Sequence, residues 1–391
     1  MLGIALLAQI ASSLVTQGIP TLAPFLQEDL GLTRGQVGLF NSALMAGSFT
    51  SLFAAGALVD SRGERAALVC GNVIIGAACA AILATHGFIS ALLVLVIAGI
   101  GASFPTPAGS KAVMRWFPLA QRGTAMGVRQ TGIPLGGALA AATLPALAVH
   151  HGWRIAVVVS GIFAFLTAAL CFFGYRDERP AHEILTRPSA PLSFREVLTR
   201  DIALMGLAGA LLPLGQFALV TYLALYLKET QGIPVTTTAT LLVAAQLAGA
   251  AGRVLWGVWS DRWFGQRRKP ALITANVLAA GLSLVLGWLP VETPFIYVAI
   301  IVVCYAFNTI GWHGNWISIL AEIAGPERQG RTIGAAMTVM YGGIIMLPPL
   351  FGVFVDYTHS WRWAWTILAG MILLGTALTL PVREHGYTAR D

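Results

Sequence analysis

The sequence predicts an all-α integral membrane protein: twelve transmembrane helices in two pseudo-symmetric six-helix bundles. Three observations lead there. Of 391 residues, 57% are hydrophobic and 10% are charged, whereas a soluble domain carries roughly 25% charged residues. Twelve apolar stretches reach the length of about 20 residues that a spanning helix needs. A charged segment, Gly56-Ala-Leu-Val-Asp60-Ser-Arg62-Gly63-Glu64-Arg65, returns in worn form as Gly257-Val-Trp-Ser-Asp261-Arg262-Trp-Phe-Gly265.

The stretches fall near 3–26, 35–59, 66–86, 88–116, 122–148, 153–174, 202–227, 236–260, 270–289, 294–320, 332–355 and 362–381. The first has no basic n-region and no small-residue cleavage pattern, so it reads as a helix and not a removable signal. It carries Gln17. The second and third flank the charged segment, which reads as a short hairpin. Pro105 and Pro107 interrupt the fourth just before Lys111, removing backbone donors. The fifth holds Arg129 among Gly127, Gly132, Gly136 and Gly137, and the eleventh is similarly rich in glycine and proline; small residues let helices approach closely in lipid. The sixth opens on Trp153-Arg154 and the twelfth on Trp361-Arg362. A polar, proline-bearing run over 176–200 reads as a cytoplasmic linker between bundles 1–175 and 201–391. The seventh stretch carries Gln216 and Tyr222, and the eighth Gln246 and Arg253. The ninth begins just past the second charged segment. The tenth carries Asn308, Trp312, His313 and Asn315. Across the halves Leu26 aligns with Leu227, Glu28 with Glu229, Gly31 with Gly232 and Asp60 with Asp261.

Placing the N-terminus in the cytoplasm puts 17 of the 24 Lys and Arg on inward loops and the tail, against four outside. Both termini are therefore expected in the cytoplasm, with the chain multi-pass in the plasma membrane. The basic balance is topology and not a nucleic-acid footprint. All four cysteines fall inside apolar stretches without metal-like spacing, so no metal or other cofactor is expected. No motif for a hydrolase, a metalloenzyme or an ATP site is present, which argues against an enzyme.

Ionisable residues inside spans are costly and usually functional. The deep ones here are cations or histidine: Lys111, Arg129, Arg253 and His313, with the Asp and Glu confined to loops and helix ends. Such a lining suits a small anionic solute. Arg253 lies eight residues before Asp261, roughly 12 Å along a helix axis, too deep for an easy snorkel. Its rival role is to tie helix ends through backbone carbonyls. His313 is the candidate for proton coupling, although it points about 140° from Asn308 on a continuous helix. Gln17, Gln216, Tyr222, Gln246, Asn308, Trp312 and Asn315 supply polar or aromatic lining, or bonds across helices.

With two six-helix halves and the segment from Gly56 to Arg65, the chain resembles the major facilitator superfamily along its whole length. The run Gly252-Arg253-x-x-x-Gly257-x-x-x-Asp261 is similar to that of monocarboxylate and oxalate–formate carriers. The resemblance implies a monomeric secondary transporter of a small organic anion, a carboxylate in particular. It would work by rocker-switch alternating access, coupled to protons or to a counter-anion. It also implies a cytoplasmic gate at Asp60, Arg62, Gly63 and Arg65, echoed by Asp261, Arg262 and Gly265, and a substrate contact at Arg253. A proton-driven exporter of drugs or metabolites is the alternative. Against it, the fourth stretch lacks the arginine of many such exporters, and Pro134 is displaced by one position from their Gly-Pro signature.

Overall fold

The computed structural model describes residues 1–116, 128–177, 199–264, 267–324 and 329–383; the side chains at 53, 60, 114, 115 and 329–331 lie outside the description. Regular secondary structure among the described residues is helical. The first half forms α1 (Leu2–Thr21), α2 (Ala23–Leu30), α3 (Arg34–Ala81), α4 (Phe88–Ala102), α5 (Pro105–Trp116), α6 (Gly132–His151) and α7 (Trp153–Gly174). The second forms α8 (Arg200–Leu211), α9 (Leu214–Gln231), α10 (Val235–Arg262), α11 (Arg268–Gly287), α12 (Phe295–Gly311), α13 (His313–Ala324), α14 (Gln329–Thr358) and α15 (Trp361–Thr379). Among the described residues eleven helices are long and apolar enough to cross a membrane. The arm of α3 from Arg34 to Asp60 is helical too and supplies the twelfth apolar stretch.

Among the described residues the first (α1/α2), fourth (α4/α5), seventh (α8/α9) and tenth (α12/α13) stretches are broken, and the fifth has a turn at Thr131 before α6. Chemistry accounts for three of the breaks. Pro20, Pro105 and Pro213 each lack the N–H that would continue the helical ladder. The tenth has no proline and breaks at Gly311-Trp312. The sequence reading anticipated only the break at Pro105.

In the charged segment after the second stretch, the two arms of α3 meet at a single non-helical residue, Gly63, with φ 90° and ψ 172°, so the expected hairpin is a one-residue turn. That conformation belongs essentially to glycine.

By internal contacts the chain forms two units. Unit 1 comprises Met1–Glu183, Val220–Gln246 and Pro348–Val353; unit 2 comprises Ile184–Leu219, Leu247–Leu347 and Phe354–Asp391. The linker expected over 176–200 falls largely on 178–198, outside the described residues. In unit 1, α1 packs on α6, and α3 packs on α4 and α7. Its interior is built of small side chains, among them Ala5, Ala8, Ala55, Ala67, Ala108 and Ala112, which bring helix backbones close where lipid offers no hydrophobic drive. Large apolar residues such as Leu166 and Phe173 point outward instead. In unit 2, α11 packs on α15, with Ser283 donating to the Trp365 carbonyl at 3.0 Å. Trp316 Nε1 donates to the Met205 carbonyl at 2.9 Å, tying α13 to α8.

Candidate functional site

The site in unit 2 is set by a crossing of α10 and α12 at two glycines. A Cβ on Gly311 would lie 2.7 Å from Trp256 Cδ1 and 2.9 Å from the Gly252 carbonyl carbon. With nothing between the backbones, Arg253 on α10 faces the start of α13, where a Cβ on Gly314 would lie 4.0 Å from the Arg253 carbonyl oxygen. The Asn315 amide donates to the Trp256 carbonyl at 3.3 Å, holding α13 against α10. His313 stands between Trp312 and Trp316, with ring centroids 5.4 and 5.9 Å away.

This crossing concentrates donors. Arg253 Nε, Trp256 Nε1 and Trp312 Nε1 are buried N–H groups without a hydrogen-bond acceptor, and among the described residues no carboxylate pairs with Arg253. A buried donor left unpaired costs about 1–3 kcal/mol. Two on successive turns of α10 and one between α12 and α13 make an environment that an anion's oxygens would relieve. Asn308 donates to the Cys304 carbonyl at 2.8 Å and keeps its own carbonyl oxygen unpaired. Gln216 is half-buried near the start of α9.

Unit 1 places the remaining candidates. Gln246 Nε2 donates to Gln17 Oε1 at 3.5 Å, and both residues are buried. Arg129 is 1% exposed; its guanidinium donates to Gln9 Oε1 at 3.3 Å. Lys111 Nζ donates to the Val59 carbonyl at 3.2 Å, spanning from α5 to α3. Tyr222 is buried at another corner, its hydroxyl 2.8 Å from the Pro348 carbonyl and 3.1 Å from that of Arg34. Beside it Arg34 pairs with Glu229 at 2.6 Å and Lys228 with Glu28 at 3.6 Å. Sequence reasoning missed this cluster, although the alignment of Glu28 with Glu229 was its signal.

The two charged segments are built differently. At the first, Asp177 beyond α7 accepts from the Arg65 backbone N–H at 3.1 Å, and a Cβ on Gly63 would lie 2.6 Å from its Oδ2. The Arg65 guanidinium lies 4.8 Å from the centroid of the Phe172 ring. Arg62 is exposed, and the Asp60 side chain is outside the described residues. At the second, Arg268 binds both the Asp261 carboxylate and the Ser260 hydroxyl, and its Nε stands 3.8 Å from Glu322. Arg262 is exposed, and Gly265 lies outside the described residues.

Known proteins share this organisation. The family described as Major Facilitator Superfamily matches residues 5–348. An uncharacterised MFS-type transporter of Mycobacterium tuberculosis is 31% identical over 95% of this chain and 82% of its own length. A "probable sulfoacetate transporter" of Cupriavidus necator is 26% identical, covering 97% of this chain and 92% of its own. A hexuronate transporter of Bacillus subtilis is 24% identical, covering 95% and 91%.

Proposed function

We propose that this chain, which belongs to the Major Facilitator Superfamily by its match over residues 5–348, is a secondary active carrier of a small organic anion bearing a carboxylate. The observation that carries the proposal is the group of unpaired buried donors at the α10–α12 crossing, Arg253 Nε, Trp256 Nε1 and Trp312 Nε1. Arg253 binds the carboxylate through its planar fork, and the indole N–H groups fix its orientation. His313 beside it carries the proton in symport, or stays neutral in anion exchange. Within the same unit, Gln216 on α9 contacts the rest of the solute. The charged segments at Gly63 and Asp261 gate the cytoplasmic side as one chain alternates access. Relatives named for sulfoacetate and for hexuronate, both organic anions, support the substrate class.

The test is thermal stability of the purified protein against carboxylates, inorganic anions, sugars and lipophilic cations. A carboxylate at about 100 times its Kd adds roughly 2.7 kcal/mol to the wild type, and Arg253→Ala removes the gain. Stabilisation by lipophilic cations alone, unchanged in the variant, would overturn the substrate class.

A further inference from the structure

A groove at one end of unit 2, apart from the donors at the α10–α12 crossing, lies between the start of α11 and the chain beyond α15. It encloses about 700 Å³ and is lined by Arg267, Lys269, Pro270, Ile273, Thr274 and the run from Leu380 to Arg383. Its chemistry has two parts. Arg267, Lys269 and Arg383 bring three cations to its lining. Pro270, Ile273, Leu380 and Val382 supply an apolar floor.

The groove is a built feature. Lys269 Nζ donates to the carbonyls of Leu380 at 2.6 Å and Val382 at 2.9 Å, so its ammonium joins α11 to the end of α15 while standing at the groove. Asp201 Oδ2 accepts from the Arg383 backbone N–H at 3.2 Å, a main-chain contact that shapes the wall. Arg268, the neighbouring cation, is turned away to Asp261 and Glu322. Both α11 and α15 are among the helices able to span the membrane, so a lipid reaches the groove by lateral diffusion.

We propose that this groove binds the phosphate headgroup of an anionic phospholipid, with the first chain carbons resting on Pro270, Ile273 and Leu380. Arginine pairs phosphate oxygens bidentately, and basic pockets at the ends of spanning helices hold such headgroups. A free phosphate would use the cations and leave the apolar floor empty. A zwitterionic lipid would bring its own cation against three others.

The experiment uses the full chain purified in detergent, read by thermal melting and by native mass spectrometry. Phosphatidylglycerol, phosphatidylcholine and inorganic phosphate are the probes, added to wild type, to R267Q/R383Q and to R176Q, which removes an exposed cation of unit 1. Phosphatidylglycerol is expected to raise the melting temperature of wild type and R176Q by several degrees. Its affinity for R267Q/R383Q should fall by about tenfold or more, with one fewer lipid retained. Phosphatidylcholine and inorganic phosphate should shift neither. Either single Gln substitution gives the same reading in weaker form if the double variant does not purify. Equal stabilisation of R267Q/R383Q by phosphatidylglycerol overturns the assignment. So does a response of wild type to inorganic phosphate as large as to the lipid, or loss of the lipid response in R176Q.

Discussion

Arg253 and Asp29 are charged groups in opposite circumstances, one without a charged partner among the described residues and one bonded to Trp153 and Arg154. Arg253 has Nε unpaired and adjoins two indole donors that are also unpaired. Replacing it by lysine keeps the charge but loses the fork, so Arg253→Lys should weaken carboxylate binding by about tenfold or more while leaving the unliganded melting temperature near wild type. Titration of the melting shift checks both. Asp29 is already satisfied: it accepts from Trp153 Nε1 at 2.9 Å and from Arg154 at 2.7 Å. Those bonds, the Trp153 one first, together with the Arg154 charge, hold its carboxyl below the ordinary range, against a smaller opposing effect of burial. A lowered folded pKa means the stabilisation is complete above the unfolded carboxylate pKa and is lost as pH falls through the folded value. Wild type should therefore exceed Asp29→Asn in stability at neutral pH, by no more than about 1 kcal/mol for a half-exposed pair. The gap should close in acid melts. A gap that persists in strong acid would show that the bonds do not depend on the charge. Arg253 was legible because a guanidinium in an apolar run is conspicuous. Trp256, three residues on along the same helix, was legible too; Trp312 was not legible as its neighbour, because the two helices meet only where Gly252 faces Gly311.

Among the elements, α3 and the tenth stretch show where sequence reasoning stopped. The repeated motif marked the position of the turn at Gly63, but Asp177 entered from the far end of the sixth stretch, where periodicity says nothing about contact. In the second copy the motif pointed to Arg262 beside Asp261, whereas the carboxylate is held by Arg268 at the start of α11. Gly63→Ala puts a Cβ into a conformation that costs of order 1–3 kcal/mol and against Asp177, so a lower melting temperature is expected. An unchanged one would mean the turn relaxes freely. The break in the tenth stretch has no proline to announce it; Trp312 there keeps helical φ −63° and ψ −27°, so the angle of about 140° between Asn308 and His313 carries through it. In unit 1 the Arg34–Glu229 pair and the Tyr222 hydroxyl hold the start of α3 to the end of α9 and to α14. Glu229→Gln should speed hydrogen exchange over 220–235 and leave exchange in α6 and α7 unchanged. Uniform acceleration would mean general destabilisation and not a local clasp.

For the molecule as a whole, the apolar lengths were readable because they follow from the bilayer as solvent. Identity of the cargo was not, since one scaffold serves many solutes. Coupling is a whole-molecule property and is tested in proteoliposomes. With His313 as the proton carrier, His313→Asn should abolish accumulation driven by a pH gradient while sparing counter-exchange of labelled carboxylate. Accumulation that survives the substitution would remove His313 from the coupling path.

The breaks in the first, fourth, seventh and tenth stretches carry one more consequence. Pro20 and Pro213 each withdraw a donor, so the carbonyls of Thr16 and Gly209 lose the partner that a regular helix would give them. Those oxygens belong to the peptide chain, and no replacement of the Thr16 or Gly209 side chain removes them. An alanine scan passes over them in silence, and comparison of amino-acid identities between two carriers cannot register them. Backbone amide-to-ester exchange, or repair of the ladder by Pro20→Ala and Pro213→Ala, would reveal how much of the cargo's grip is written in the main chain.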